Sequence, residues 1–120
     1  MDNQLQYYTE TGKYRDRFDA GLPVVMQAYS SFRKTVYQDG ALSLKVKRLI
    51  ALACGLQAGC TRSIQGQTRD AVEAGATKEE VLEAVSVAIV MGGTAVSAET
   101  WRVIKVLEES GKWRRNSKNK

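Results

Sequence analysis

The run Cys60-Thr61-Arg62-Ser63-Ile64-Gln65-Gly66-Gln67 holds the residues of this chain whose types and spacing best suit chemistry. Cys60, Ser63 and Gln67 stand at i, i+3 and i+7, which lines their side chains along one helix face. A thiol just ahead of a helix meets unpaired backbone N–H groups and the positive end of the helix dipole, and both favour thiolate. Cysteine at position 63 would complete a Cys-x-x-Cys redox pair, but the chain has serine there. No histidine occurs in the sequence, which removes imidazole catalysis and histidine metal ligation; no metal site and no cofactor are expected. Without such a base a nucleophilic Ser63 is not expected either, and its ordinary place is a helix surface or a hydrogen bond to the preceding turn. Cys60 keeps two readings open, a reactive thiol and a loop packing residue. Cys54 lies among Leu, Ile and Ala, where cysteine behaves as a small buried hydrophobe, and is the possible second thiol.

The elements that must position these residues read as helices. Pro23 opens one, with Val25, Tyr29, Phe32 and Val36 as an apolar stripe expected to face a core, and Asp39-Gly40 ends it. Ser43 is the expected N-cap of the next, which buries Leu44, Leu49, Ile50, Ala53 and Leu56 and stops near Gln57 to Gly59. The site helix runs from about Thr61 to Ala74, and Gly75 fits the left-handed position that closes it. Thr77-x-x-Glu80 is a capping box for a helix from Lys78 to Met91. The second half of that helix is apolar almost all round, so it must be covered on every side, which favours a partner subunit. A last helix, about Ala95 to Glu109, presents Val96, Trp101, Ile104 and Leu107. The segment through Asp19, with Tyr7, Tyr8 and Tyr14, is polar enough to suggest at most a short helix or an arm on a neighbour. Nothing reads as a strand. The expected class is all-α, with about five to six helices.

Leu42 to Ala53, Gly59-Cys60, Ala71, Gly75 to Ala84 and Met91-Gly92-Gly93 together resemble the carboxymuconolactone decarboxylase family, on its alkylhydroperoxidase D-like side. The resemblance runs from about Pro23 to Leu107. It implies a helical oligomer, trimer or hexamer, and by analogy a thiol-dependent peroxidase or antioxidant oxidoreductase. The family's peroxidases carry a glutamate, a Cys-x-x-Cys pair and a histidine; on this chain those positions hold Arg48, Cys60, Ser63 and Gln67. Only the first cysteine, which resolves the disulfide in such relatives, is kept. Arg48 cannot act as a base, yet a guanidinium can bind an anion or stabilise a thiolate. With Arg62 and Gln67 it would make a polar, cationic cleft suited to a small anionic ligand. Either arginine is equally at home in solvent. Three functions stay open: a peroxidase-like enzyme served by a thiol reductant, a non-catalytic member binding a small anion or partner, and a decarboxylase of a lactone-type carboxylate.

The 120 residues, 43% hydrophobic and 26% charged, fit one domain over residues 1–110 with a basic tail over 111–120. The tail's five cations, Lys112, Arg114, Arg115, Lys118 and Lys120, account for the net charge of +5, leaving a neutral body. Such a tail is ordinarily a solvated terminus, and nucleic acid is not expected as a partner. No membrane-length apolar run and no signal-peptide pattern are present, so a cytoplasmic location and reduced thiols are expected.

Overall fold

The computed structural model describes residues 3–114, which form seven helical segments and no strand. In chain order they are α1 (Gln4–Gly21), α2 (Pro23–Val36), α3 (Leu44–Ala58), α4 (Thr61–Glu73), α5 (Lys78–Gly92), the four-residue α6 (Thr94–Ser97) and α7 (Thr100–Glu109). Local signals explain most of the boundaries. The Ser43 hydroxyl accepts the Val46 amide at 3.2 Å, and Thr77 and Glu80 exchange the two bonds of a capping box at 2.9 and 3.1 Å. Gly75, at φ +96°, turns the chain out of α4 while Ala76 N–H donates to the Ala71 carbonyl.

The core forms where α3, α4, α5 and α7 meet, around Leu52, Leu56, Ile64, Ala71, Val81, Val85, Ala88, Val103 and Leu107. It differs in register from the expected one. On α3 the buried positions are Leu52, Gly55 and Leu56, whereas Ile50 and Cys54 face outward, because that helix is apolar on too many sides for its pattern to select one. The expected last helix is broken between Ser97 and Thr100, which rotates its second half so that Val103, Val106 and Leu107 point inward. Trp113, assigned to the tail, packs on the core with Lys78 4.6 Å from its ring centroid, so the folded body extends past residue 110. Residues 115–120, which hold the remaining cations of the basic segment, lie outside the described residues.

Two larger corrections concern the first helices. The polar N-terminal segment forms an 18-residue helix, fixed by individual polar contacts instead of an apolar face. Asn3 caps it through the Gln6 amide at 2.7 Å, and Glu109 at the far end of the chain accepts the Gln4 and Leu5 amides at 2.9 and 2.8 Å. A carboxylate on two orphan N–H groups at a helix start satisfies donors and opposes the dipole together. Gln4 is buried, its amide oxygen accepting from Gln65 and Arg102. The second correction is α2: its apolar stripe faces no core, and no residue of the helix is buried in the single chain. Val25 and Phe32 are 59% and 65% exposed, and on α5 Val90 and Met91 are 84% and 77% exposed. Periodicity reports that a face is apolar; it does not report whether the same chain covers it.

Candidate functional site

The site is made at the joint between α3 and α4. Gly59 adopts φ +66°, a left-handed conformation that glycine takes without a Cβ clash, and the chain reverses there. The next amide, that of Cys60, donates to the Gly55 carbonyl at 3.0 Å and so completes the closure of α3. Cys60 is also the N-cap of α4: its backbone is extended and its sulfur accepts the Ser63 N–H at 3.4 Å. Cys60 therefore contributes to closing α3, whose C-cap is Gly59, as well as starting α4, and its thiol is left exposed.

This placement lowers the Cys60 thiol pKa below its ordinary value. The Ser63 hydroxyl beside the sulfur contributes most; burial opposes it, and the Ser63 and Arg62 amides and the Arg62 charge add to it. These are the thiolate-stabilising effects available at a helix start, with Ser63 as a specific donor. Ser63→Ala should therefore raise the pH at which Cys60 becomes reactive, read as the inflection of its alkylation rate against pH. An unmoved inflection would mean that the backbone amides alone suffice.

Cys60, Ser63 and Gln67 line one cleft of about 350 Å³ between α1, α2 and α4, together with Arg15, Asp16, Asp19, Tyr29, Arg33, Arg62 and Asp70. Arg48 lies just beyond it, and its charge is already countered. Its guanidinium stands 3.4 Å from Asp70 and 3.2 Å from the Gln67 amide oxygen, and stacks 3.8 Å from the Tyr37 ring centroid. Asp70 also binds Arg69 at 2.9 Å. Gln67 is buried, donating weakly to the Tyr37 hydroxyl at 3.5 Å. Arg48 is thus held in an Arg48–Asp70–Gln67–Tyr37 network while still lining an adjacent pocket with Arg33 and Lys34, and the arginines that line the Cys60 cleft are Arg15, paired with Asp19, and Arg33 and Arg62. Cys54 is not brought to Cys60. It lines a separate apolar groove with Val36, Ile50, Ala51 and Ala58, in which Ser63 and Gln67 form the shared wall, and both thiols are free.

Sequence reading missed Asp70 and Tyr8. Asp70 gave no signal beyond its i+3 spacing from Gln67. Tyr8 inserts between the Arg62 and Arg69 guanidinium groups, 4.0 and 4.6 Å from its ring centroid, above Gly66. Arg62, Gly66 and Arg69 are at i, i+4 and i+7, so one face of α4 makes two cationic walls and a bare floor for an aromatic ring. Arg62 also donates to the Tyr8 carbonyl at 2.9 Å and the Thr11 hydroxyl at 3.1 Å, tying α1 to the cleft wall. A Cβ on Gly66 would lie 2.6 Å from the Tyr8 ring. Gly66→Ala should therefore eject Tyr8 and loosen α1, seen as faster amide exchange across α1 with α3 and α5 protected as before. Unchanged exchange in α1 would show that Tyr8 is not what seats the helix.

The α3–α4 helical hairpin, flanked by further helices, thus carries an exposed cysteine at its turn beside a polar cleft. The chain belongs to the carboxymuconolactone decarboxylase family, whose profile matches residues 23–106. It is 37% identical over 82 residues to an uncharacterized protein in the cox locus of Paracoccus denitrificans, spanning 68% of this chain and 74% of that protein. A similar relationship, 34% over 85 residues, covering 71% and 75%, links it to an uncharacterized protein of Cupriavidus necator. Among solved structures, a carboxymuconolactone decarboxylase family protein from Legionella pneumophila superimposes with a TM-score of 0.85 at 28% identity, covering 91% of this chain and 97% of that one. A family member from Thermotoga maritima, whose description suggests a part in the antioxidative response, gives 0.78 at 26% identity over 88% and 90%. No helix among the described residues is long and apolar enough to cross a membrane.

Proposed function

We propose that the protein is a single-thiol peroxidase that uses Cys60 and depends on an external thiol reductant. The observation that carries this reading is the exposed Cys60 sulfur at the start of α4, accepting the Ser63 N–H inside an open cleft. The suggested antioxidative role of the Thermotoga maritima relative supports it. In the first step the Cys60 thiolate attacks one peroxide oxygen: the S–O bond forms, the O–O bond breaks, and the departing alkoxide or hydroxide is protonated by bulk solvent, which is left with one hydroxide, giving an alcohol or water. The product at sulfur is sulfenic acid. A second thiol must then condense with it, releasing water and forming a mixed disulfide, which another thiol reduces. Cys54 faces a different groove, so the second thiol comes from outside the chain. The decarboxylase reading is favoured by no observation as specific as the Cys60 cap: the chain has no histidine, and Asp70 is held between two arginines. Peroxide consumption coupled to an added thiol tests the proposal; consumption that is equal with and without the protein would overturn it.

We further propose that the working form is a homo-oligomer, a trimer or hexamer, in which copies cover the outward faces of α2 and α5. Isolated apolar side chains are normal on a surface, but continuous helical stripes are not. Light scattering at low micromolar concentration should give a multiple of the chain mass, and Val90→Asp should reduce it. A wild-type monomer would sink the idea. Thiols that must stay reduced between turnovers fit a cytoplasmic setting.

A further inference from the structure

We propose that the Cys60 cleft receives a zwitterionic peptide thiol as its reductant, with carboxylate groups on Arg33 and Arg62, an ammonium group on Asp16 and the thiol sulfur at Cys60. This rests on the single-thiol reading above and names the reductant's class. The charges lining the cleft divide into two groups. Asp19 is paired with Arg15 at 3.1 Å, and Asp70 with Arg69 and Arg48, so these are neutralised within the protein. Arg33 has no carboxylate partner among the described residues; it stacks on Tyr29 and Tyr37, 5.9 and 5.3 Å from their ring centroids. Arg62 spends one nitrogen on the Tyr8 carbonyl and the Thr11 hydroxyl and has no carboxylate partner either, leaving N–H donors of its five for a ligand. Asp16 lines the same cleft with no cation paired to it among the described residues.

Two guanidinium groups and one carboxylate without an ion-pair partner among the described residues therefore line the same cleft of about 350 Å³ as the exposed Cys60. That volume lies within the range of small-molecule sites, near its lower end. A simple aliphatic thiol would leave all three charges unmatched, and a purely anionic one would face Asp16. A short peptide thiol carries the two signs and the sulfur together. The arginines are held by aromatic stacking and backbone contacts, so little ordering is required when the ligand arrives. The chemistry balances without an oxidant beyond peroxide: Cys60 sulfenic acid and the ligand thiol give a mixed disulfide and water, and a second ligand thiol displaces Cys60 as thiolate.

The same recognition operates in reverse, when reduced Cys60 attacks a disulfide, and this isolates binding from peroxide chemistry. Rates of exchange are measured with glutathione disulfide, dithiodipropionate, cystamine and hydroxyethyl disulfide, each divided by the rate of the same disulfide with free mercaptoethanol. We expect the normalised rate for glutathione disulfide to exceed that for neutral hydroxyethyl disulfide by about tenfold or more, the effect of one or more charge-assisted hydrogen bonds. Cystamine should fall below both. Arg33→Gln should lower the ratio of glutathione disulfide to hydroxyethyl disulfide, and Asp16→Asn the ratio of glutathione disulfide to dithiodipropionate. Equal normalised rates, or ratios that neither variant moves, would overturn the proposal. Peroxide reactivity with no selectivity sinks this inference alone, whereas selective exchange without peroxide reactivity sinks only the peroxidase reading.

Discussion

Cys60→Ser abolishes peroxide-dependent oxidation of the folded protein at low peroxide, while Cys54→Ser leaves it in place. Oxidation requires thiolate, and only Cys60 has a helix start, the Ser63 hydroxyl and Arg62 to hold one. Intact mass after brief peroxide treatment, with a sulfenate-trapping dione present, should show one added oxygen or one adduct, mapped to the Cys60 peptide. Loss of two hydrogens with a Cys54–Cys60 cross-link would contradict the separation of the two thiols into different grooves. The rate should rise with pH to a plateau whose midpoint is lowered from the ordinary thiol value. The same shift links pH to stability. Folding favours the ionised thiol, so the stabilising contribution is complete above the unfolded-state pKa and is lost as pH falls through the lower folded-state value.

Gly55→Ala should destabilise the protein even though alanine is the better helix former. A Cβ there would stand 2.8 Å from the Ser63 Cβ, 3.5 Å from the Ser63 carbonyl carbon and 3.6 Å from the Ile64 amide nitrogen. None of these can swing away, since two belong to backbone and the third is fixed to it, so α3 and α4 must separate. Such overpacking costs roughly 1–3 kcal/mol, against at most about 1 kcal/mol from helix propensity. Thermal unfolding should shift downward by several degrees. The Gly55 carbonyl accepts the Cys60 amide, so the same variant should also weaken the Cys60 cap and raise the pH midpoint of its reactivity. An increase in melting temperature would show that the hairpin is looser than its geometry implies.

The features legible in the sequence are those set within a few residues. Ser43, the Thr77–Glu80 box, Gly75 and the thiol ahead of α4 are each local chemistry, and each appears where its spacing places it. The missed features depend on distant partners. The α1 helix has no apolar face to announce it, and is held instead by Glu109, Arg62 and the Tyr8 seat, some 50 to 100 residues away in sequence. The α2 stripe was visible but its exposure was not. Cys54 was misplaced because α3 offers apolar residues on more than one side, and Arg48 could not be paired with Asp70 until the hairpin set them across from each other.

A residue whose amide helps to close one helix and whose sulfur caps the next gives the protein a memory of the oxidants it has met. Any change at the Cys60 sulfur alters an acceptor on which the first turn of α4 relies. A sulfinate there is a stronger, permanently charged acceptor facing the positive helix end, whereas a mixed disulfide is a bulkier and weaker one. Heat-unfolding profiles of a partly oxidised population would then separate into components, the irreversibly oxidised molecules outlasting those that can still be rescued.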